Sequence, residues 1–486
     1  MSHRMTTVHF IGICGTAMAT LAAMLKDRGY AVRGSDQHVY PPMSDFLAAR
    51  EIPCQDGFDA DHITADVDLV VIGNAVSRGN PEVEAVLDRK ILYRSLPEMV
   101  RETFLWDRRS IVIAGTHGKT TTAALVSWLL VDAGRDPSFL VGGLAGNFGS
   151  SYRLGAGRDF VVEGDEYDSA FFDKTAKFLK YLPDIAVVGN LEFDHADIYA
   201  DFEAIRSAVR WFVTLVPSQG LLILGADSAG AVDMTHGAPC RVTTFGLGET
   251  AEWRATSLEP FSAGTTFTVE HRGTPVTDLR VPLVGEFNVR NVLAAFVVAS
   301  EVGLDATTIA ASVARFDGVK RRLEIRGRER GVTVYDDFAH HPTAVRETLA
   351  GVRAGNPSRR LWALFEPRSA TACRRVFQDD FAEAFRQADE VIIGRVYRST
   401  LPDANRLSET ELVAGIAATG VRARHVPEVE GIVRIVADEA REGDLVVVMS
   451  NGAFGGIHDR ILKALAAEAV GTLAPPRGVL GAAPSR

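Results

Sequence analysis

Short apolar runs recur along the chain, and nearly all of them empty into glycine, asparagine or an acid. Val8 to Ile13, Tyr30 to Gly34 and Asp68 to Gly73 read as buried strands, with a helical pattern through Lys26 after the first. Ser110 to Ala114 runs into Gly115, and a helical pattern spans Ala123 to Leu130. Asp159 to Glu163, Asp184 to Gly189, Val332 to Asp336, Leu361 to Phe365, Glu390 to Gly394 and Asp444 to Met449 repeat the strand pattern. Continuous apolar strands alternating with helices mark parallel sheets covered on both faces. From Gly220 to Pro282 the segments shorten and alternate, as in Thr265 to His271, which predicts an antiparallel extension of the middle region. Leu96 to Asp107 predicts a charged helix.

The 486 residues amount to about three domains at roughly 150 residues each. We place them at 1–107, 108–317 and 318–468, all α/β, followed by an Ala/Gly/Pro-rich tail at 469–486 that is predicted to be disordered. A net charge of −10 argues against a nucleic-acid surface. Cys14, Cys54, Cys240 and Cys373 show no paired spacing, so reduced thiols are expected, without zinc or disulfides. No apolar signal core opens the sequence and no long uncharged apolar run interrupts it, which points to a cytoplasmic protein with no membrane partner.

Chemistry concentrates first at Ser110 to Thr122, S-I-V-I-A-G-T-H-G-K-T-T-T. Strand, glycine-bearing turn and helix aim backbone N–H groups at one point, which is a phosphate site. Lys119 would reach the outer phosphates and Thr120 would sit on Mg²⁺. The spacing is a variant, because Ile113 stands where the usual loop has its first glycine. Glu163 leaves its strand at the same rim and offers a hard oxygen ligand, and His195 beside Asp194 could hold a second metal or touch phosphate. Asn288 and Asn291, one helical turn apart, could read a base edge or could cap a helix.

Five further strand ends carry candidate substrate contacts. The first turn, Gly12-Ile-Cys14-Gly15-Thr16, with Ser35-Asp36 at the next strand end, resembles a dinucleotide fold without its full glycine pattern. Asn74 and Arg78 lie in the loop after the third strand. In the last third, Arg368 follows Leu361 to Phe365 and Asn451 follows Asp444 to Met449. A guanidinium suits a substrate carboxylate.

With G-T-H-G-K-T-T at 115–121, E-G-D-E-Y-D at 163–168, N-L-E-F-D-H at 190–195, G-E-F-N-V-R-N at 285–291, R-R-L-E at 321–324 and D-D-F-A-H-H-P at 336–342, the chain resembles the Mur ligase family from about Val8 to Ala467. The resemblance implies a Rossmann-like N-terminal domain, a central P-loop ATPase domain and a Rossmann-like C-terminal domain. It implies ATP and Mg²⁺ as cofactors. Gly115, Thr116, His117, Gly118, Lys119, Thr120 and Thr121 would hold phosphate, and Thr120, Glu163 and His195 the metals. Lys119, Glu163 and His195 would carry the chemistry. Asn288 and Asn291 would bind adenine, and Arg322, Asp337 and His340 would complete the nucleotide site.

Within the family, G-I-C-G, V-Y-P-P (39–42), E-P-R-S (366–369) and S-N-G-A-F-G-G-I-H (450–458) resemble the branch that joins UDP-N-acetylmuramate to the murein tripeptide L-alanyl-γ-D-glutamyl-meso-diaminopimelate in cell-wall recycling. Several family members carry a carbamylated lysine after the D-H motif, whereas Asp201 to Pro217 holds only Arg206 and Arg210. An L-alanine-adding ligase is the near alternative. A folate polyglutamate synthetase, a P-loop switch lacking its N-K-x-D segment and an NAD enzyme are remoter ones.

Overall fold

The computed structural model describes residues 5–196, 198–397 and 401–471. Two units divide the chain, up to Lys320 and from Arg321 onward. In the first unit the early apolar runs become Thr7–Ile11, Ala31–Asp36, Cys54–Asp56, Leu69–Ile72 and Tyr93–Ser95. These five strands form an all-parallel sheet in the spatial order third, second, first, fourth, fifth. The predicted charged helix is Leu96–Val100, opened by a Ser95/Glu98 capping box, and it continues as a π-helical turn over Arg101–Leu105.

The larger sheet of the first unit has ten strands. Its centre is parallel and runs Leu221–Gly225, Ile185–Val188, Arg109–Ala114, Asp159–Glu163, Ser138–Ala145. The expected antiparallel region is smaller than the alternating pattern suggested. Leu221–Gly225 is buried throughout and, with Arg241–Gly246, extends the parallel sheet. A strand covered on both faces needs no polar alternation. Only Trp253–Phe261, Gly264–His271 and Thr274–Val281 pair antiparallel at that end.

Two hairpins tie the sheets of this unit together. Ser150–Arg153 packs on helix Thr16–Asp27, where Thr20 Oγ1 lies 3.1 Å from Ser151 Oγ and the Tyr152 hydroxyl donates to Asp27 (2.8 Å). Asp168–Ala170 pairs with Asp173–Ala176, and the tip, Phe171-Phe172, packs among Val70, Ile72 and Tyr93 of the smaller sheet. The rings of Phe172 and Tyr93 meet edge-on at 4.9 Å.

The second unit holds a six-stranded sheet in the order Glu324–Glu329, Val332–Asp337, Leu445–Met449, Leu361–Phe365, Glu390–Ile393, Arg422–His425. The first pair is antiparallel and the others parallel. Trp362, Phe365, Phe381 and Phe385 are fully buried in it. The last helix, Ile457–Gly471, runs further than the sequence pattern indicated, and the rest of the predicted tail lies outside the described residues. No helix among the described residues is long and apolar enough to cross a membrane.

Candidate active site

The rim of the larger sheet is built by two glycines that take left-handed backbone. Gly115 (φ +130°) and Gly118 (φ +82°) turn the chain from strand Arg109–Ala114 into helix Lys119–Asp132. The first N–H groups of that helix have no acceptor within it and face outward from its end. Asn190 fixes the turn from the neighbouring strand end: its carbonyl accepts from Thr116 N–H (3.1 Å) and its Oδ1 from His117 N–H (2.8 Å). Glu192 closes the other side, its N–H donating to Thr116 Oγ1 (2.9 Å) and its carboxylate lying 3.3 Å from His117 Nε2. Thr121 is buried in the first helical turn.

Carboxylates converge on the turn from strand Asp159–Glu163 and the loop after it. Thr120 Oγ1 donates to Glu163 Oε1 (3.0 Å), and Gly142 N–H donates to Glu163 Oε2 (2.8 Å). Lys119 Nζ donates to Gly115 O (2.8 Å), Thr116 O (3.3 Å) and Glu166, whose Oε2 is 2.7 Å away. Burial alone would depress the Lys119 pKa, but Glu166, Asp165 and Glu163 hold it above its ordinary value. His195 Nε2 lies 2.8 Å from Glu166 Oε1; burial by itself would lower the imidazole pKa, but Glu166 together with Asp194 raises it. The residue has φ +54°, its N–H bonds Asp194 Oδ1 (2.7 Å), and Tyr167 packs on its ring at 4.2 Å. Asp165 is paired with Lys177 (2.6 Å).

Lys119, Thr120, Glu163 and His195 thus come together as the sequence spacing indicated, with Glu166 between two of them. Glu166 was missed as a site residue. The run E-G-D-E at 163–166 held the signal, a second acid three residues past the strand end. Asn288 and Asn291 share one face of helix Glu286–Glu301 and are linked to each other and to the helix after the glycine turn. Asn288 Nδ2 donates to Val284 O (2.9 Å), Asn291 Nδ2 to Asn288 Oδ1 (3.2 Å), and Thr122 Oγ1 to Asn291 Oδ1 (3.3 Å). Asn291 thus lies directly beside Gly118 of the turn.

In the smaller sheet, Gly12 (φ +83°) and Ile13 donate their N–H groups to Ser35 O, and Cys14 N–H donates to Asp36 Oδ2 (2.8 Å). Gly15 N–H closes the turn on Gly12 O, and Thr16 opens the following helix. Asn74 is exposed just beyond strand Leu69–Ile72. Ser35, expected to face a ligand, is instead fully buried, because its hydroxyl donates to the buried Glu82 carboxylate (2.6 Å). Arg78 is held by a two-pronged pair with Glu84.

In the second unit, Asp337 accepts from Leu323 and Ala339 N–H (both 2.8 Å), and burial raises its pKa. Arg322 covers the Phe338 ring at 4.8 Å, and His340 Nδ1 lies 3.0 Å from Phe338 O. Arg368 stacks on Tyr397 at 3.8 Å and lies against Gly452, next to Asn451, whose buried Oδ1 has no hydrogen-bond partner.

Together, the parallel sheet, the glycine turn and the carboxylates at its rim define a protein of the phosphate-loop nucleotide-binding class. Residues 7–105 match the Mur ligase family catalytic domain, 113–299 the Mur ligase middle domain and 321–452 the Mur ligase glutamate ligase domain. The chain is 41% identical over 464 residues to the UDP-N-acetylmuramate–L-alanyl-γ-D-glutamyl-meso-2,6-diaminoheptandioate ligase of Escherichia coli K12, covering 95% of this chain and 99% of that one. A UDP-N-acetylmuramate–L-alanine ligase of Desulforapulum autotrophicum is 34% identical over 462 residues, covering 94% of this chain and 98% of that one. The crystal structure of a murein peptide ligase from Psychrobacter arcticus superposes with a TM-score of 0.70 at 34% identity, covering 95% of this chain and 99% of that one. The chain belongs to the Mur ligase family.

Proposed function

We propose that the protein is an ATP-dependent ligase that joins UDP-N-acetylmuramate to L-alanyl-γ-D-glutamyl-meso-diaminopimelate, in the recycling of peptidoglycan. The observation that carries this reading is the full-length identity to a ligase named for that tripeptide. In this reading residues 1–107 hold the sugar nucleotide, 108–317 hold ATP and 318–468 take the peptide.

The residues of the rim fit a nucleoside triphosphate with a divalent cation. Gly115 and Gly118 supply the positive φ angles that turn the chain into the helix N-terminus, where backbone N–H groups suit phosphate, and Thr120 with Glu163 offers hard oxygens at one point. Mg²⁺, when bound there, neutralises phosphate charge and polarises the γ-phosphoryl group. Lys119 supplies a fixed ammonium beside the same oxygens and His195 a second cationic or donor group.

A carboxylate does not condense with an amine in water, because its leaving group would be oxide. The lactoyl carboxylate of the sugar nucleotide attacks the γ-phosphorus, ADP leaves, and an acyl phosphate results. The peptide amine then adds to the acyl carbon, loses its proton, and expels inorganic phosphate. Two anions have to meet in the first step, so Lys119 and His195 act by lowering their repulsion. The acyl phosphate hydrolyses in water, so the site must exclude solvent while it exists.

The test is phosphate release from ATP and UDP-N-acetylmuramate with either the tripeptide or L-alanine. Release that depends on the tripeptide supports the reading. Release that depends on free L-alanine favours the second reading, an L-alanine-adding ligase, which the 34% identity over 462 residues to such an enzyme keeps in view.

A further inference from the structure

Every N–H donor of the Lys119 ammonium is already used within the protein. One goes to Gly115 O, one to Thr116 O and one to the Glu166 carboxylate. An ammonium has three donors. A phosphate oxygen can therefore reach Lys119 only by displacing one of these acceptors. The two carbonyls belong to the turn itself, which Asn190 and Glu192 hold in place. The Glu166 side chain is the acceptor that can swing away. The same carboxylate also engages His195 Nε2 at 2.8 Å.

The backbone under Glu166 is fixed from both sides. Its carbonyl accepts from the Tyr199 hydroxyl (2.7 Å), and the chain after it enters the hairpin whose Phe171-Phe172 tip is packed into the smaller sheet. The carboxylate itself is nearly buried, at 8% side-chain exposure. It is thus a preplaced anion at the point where the Lys119 ammonium and the His195 imidazole converge.

We infer that Glu166 stands in for the outer phosphate in the nucleotide-free protein, so that nucleotide binding is an exchange of carboxylate for phosphate on Lys119 and His195. This inference rests on the proposal that Lys119 holds nucleotide phosphate. The exchange taxes affinity, because only the fraction of molecules with Glu166 swung out is competent to bind. It also keeps the lysine and histidine from being left buried and unpaired when the site is empty.

Calorimetric titration of ATP, ADP and AMP in EDTA against the full chain tests it, using the wild type, E166Q and E166D. The exchange predicts that ATP and ADP bind about tenfold tighter to both variants, while AMP, which lacks the outer phosphates, is unchanged. E166D keeps the negative charge but withdraws the carboxylate by one methylene. A general field effect would tighten binding to E166Q alone, and that result overturns the exchange. Unchanged or weaker ATP binding to both variants overturns it too. If the wild type itself binds AMP as tightly as ATP, the assignment of Lys119 to phosphate fails instead. Should E166Q fail to fold, E166D carries the same test.

Discussion

Asn291 fills the space in which a side chain on Gly118 would begin: a β-carbon there would lie 2.1 Å from Asn291 Oδ1. Gly118 is also at φ +82°, a backbone conformation that a side chain strains. Two separable penalties therefore meet at one residue. Gly118→Ala should destabilise the chain by about 2–3 kcal/mol and abolish tight nucleotide binding. Adding Asn291→Ala removes the overlap but not the backbone strain, so the double variant should regain about half of the lost stability. Denaturant melts of the four proteins form a cycle. Strict additivity of the two substitutions would show that the overlap carries no energy.

Glu163 is held by the Thr120 hydroxyl and by Gly142 N–H, one on each carboxylate oxygen. Glu163→Gln keeps the shape and loses the charge. On the proposed function, phosphate release should fall on the order of a hundredfold or more and the Mg²⁺ midpoint should rise. Nucleotide affinity in EDTA should not fall with it. A variant that needs no more Mg²⁺ than the wild type would remove Glu163 from the metal site.

What the sequence made legible was whatever depends on local rules. Strand ends such as Asp159–Glu163 and Leu361–Phe365 fell where the apolar runs stop, because a buried parallel strand is a continuous apolar word. The turn at Gly115 and Gly118 was readable because φ values as far positive as +130° and +82° strongly favour glycine. Edge strands were not. Glu324–Glu329, E-I-R-G-R-E, is charged along its length, as an edge exposed to water has to be, and it has no apolar run to announce it. The contacts that Glu166 and Asn291 make were hidden for another reason. Each acts on a residue at least 47 positions away, Lys119 in one case and Thr122 in the other, and no short-range pattern encodes such a contact. Ser35 shows the converse error: a polar residue at a strand end can serve the core rather than a ligand when a buried carboxylate waits for its hydroxyl.

That carboxylate gives a prediction about acid stability. Glu82 is fully buried, and burial by itself would raise its pKa. Hydrogen bonds from His9, Ser35 and His62 outweigh that and hold it below its ordinary 4.5. A depressed carboxylate stabilises the fold above the unfolded-state pKa and loses that contribution as pH falls through the folded-state value. Glu82→Gln should cost roughly 3–5 kcal/mol at neutral pH, since it leaves two histidines beside a neutral amide. Its stability should also decline less steeply than the wild type's below pH 4.5. Urea titrations across the acid range compare the slopes. Parallel slopes would mean that other acids dominate and that Glu82 titrates normally.

Cys14 and Cys54 bring their sulfurs to 3.8 Å at the glycine turn of the smaller sheet, a contact of two thiols and well beyond a bond of about 2.05 Å. Reactivity follows the thiolate, and here the thiolate is disfavoured. Burial comes first in raising both pKa values; for Cys54 the neighbouring Cys14 and the Asp36 and Asp56 carboxylates add to it and push the thiol up to about 12. Against an ordinary value of 9.0, that lowers the thiolate fraction at neutral pH by about a thousandfold, since each pKa unit is a factor of ten. Iodoacetamide at pH 7.5 should therefore label Cys54 at least about a hundredfold more slowly in the folded chain than in urea. Raising the pH to about 9 should speed the reaction in proportion to hydroxide without reaching a plateau, because the thiol is still far below its midpoint. Peptide mass spectrometry resolves the two sites separately. Labelling at the unfolded rate, or a plateau reached by pH 9, would show an ionised thiol and contradict the electrostatics of this turn.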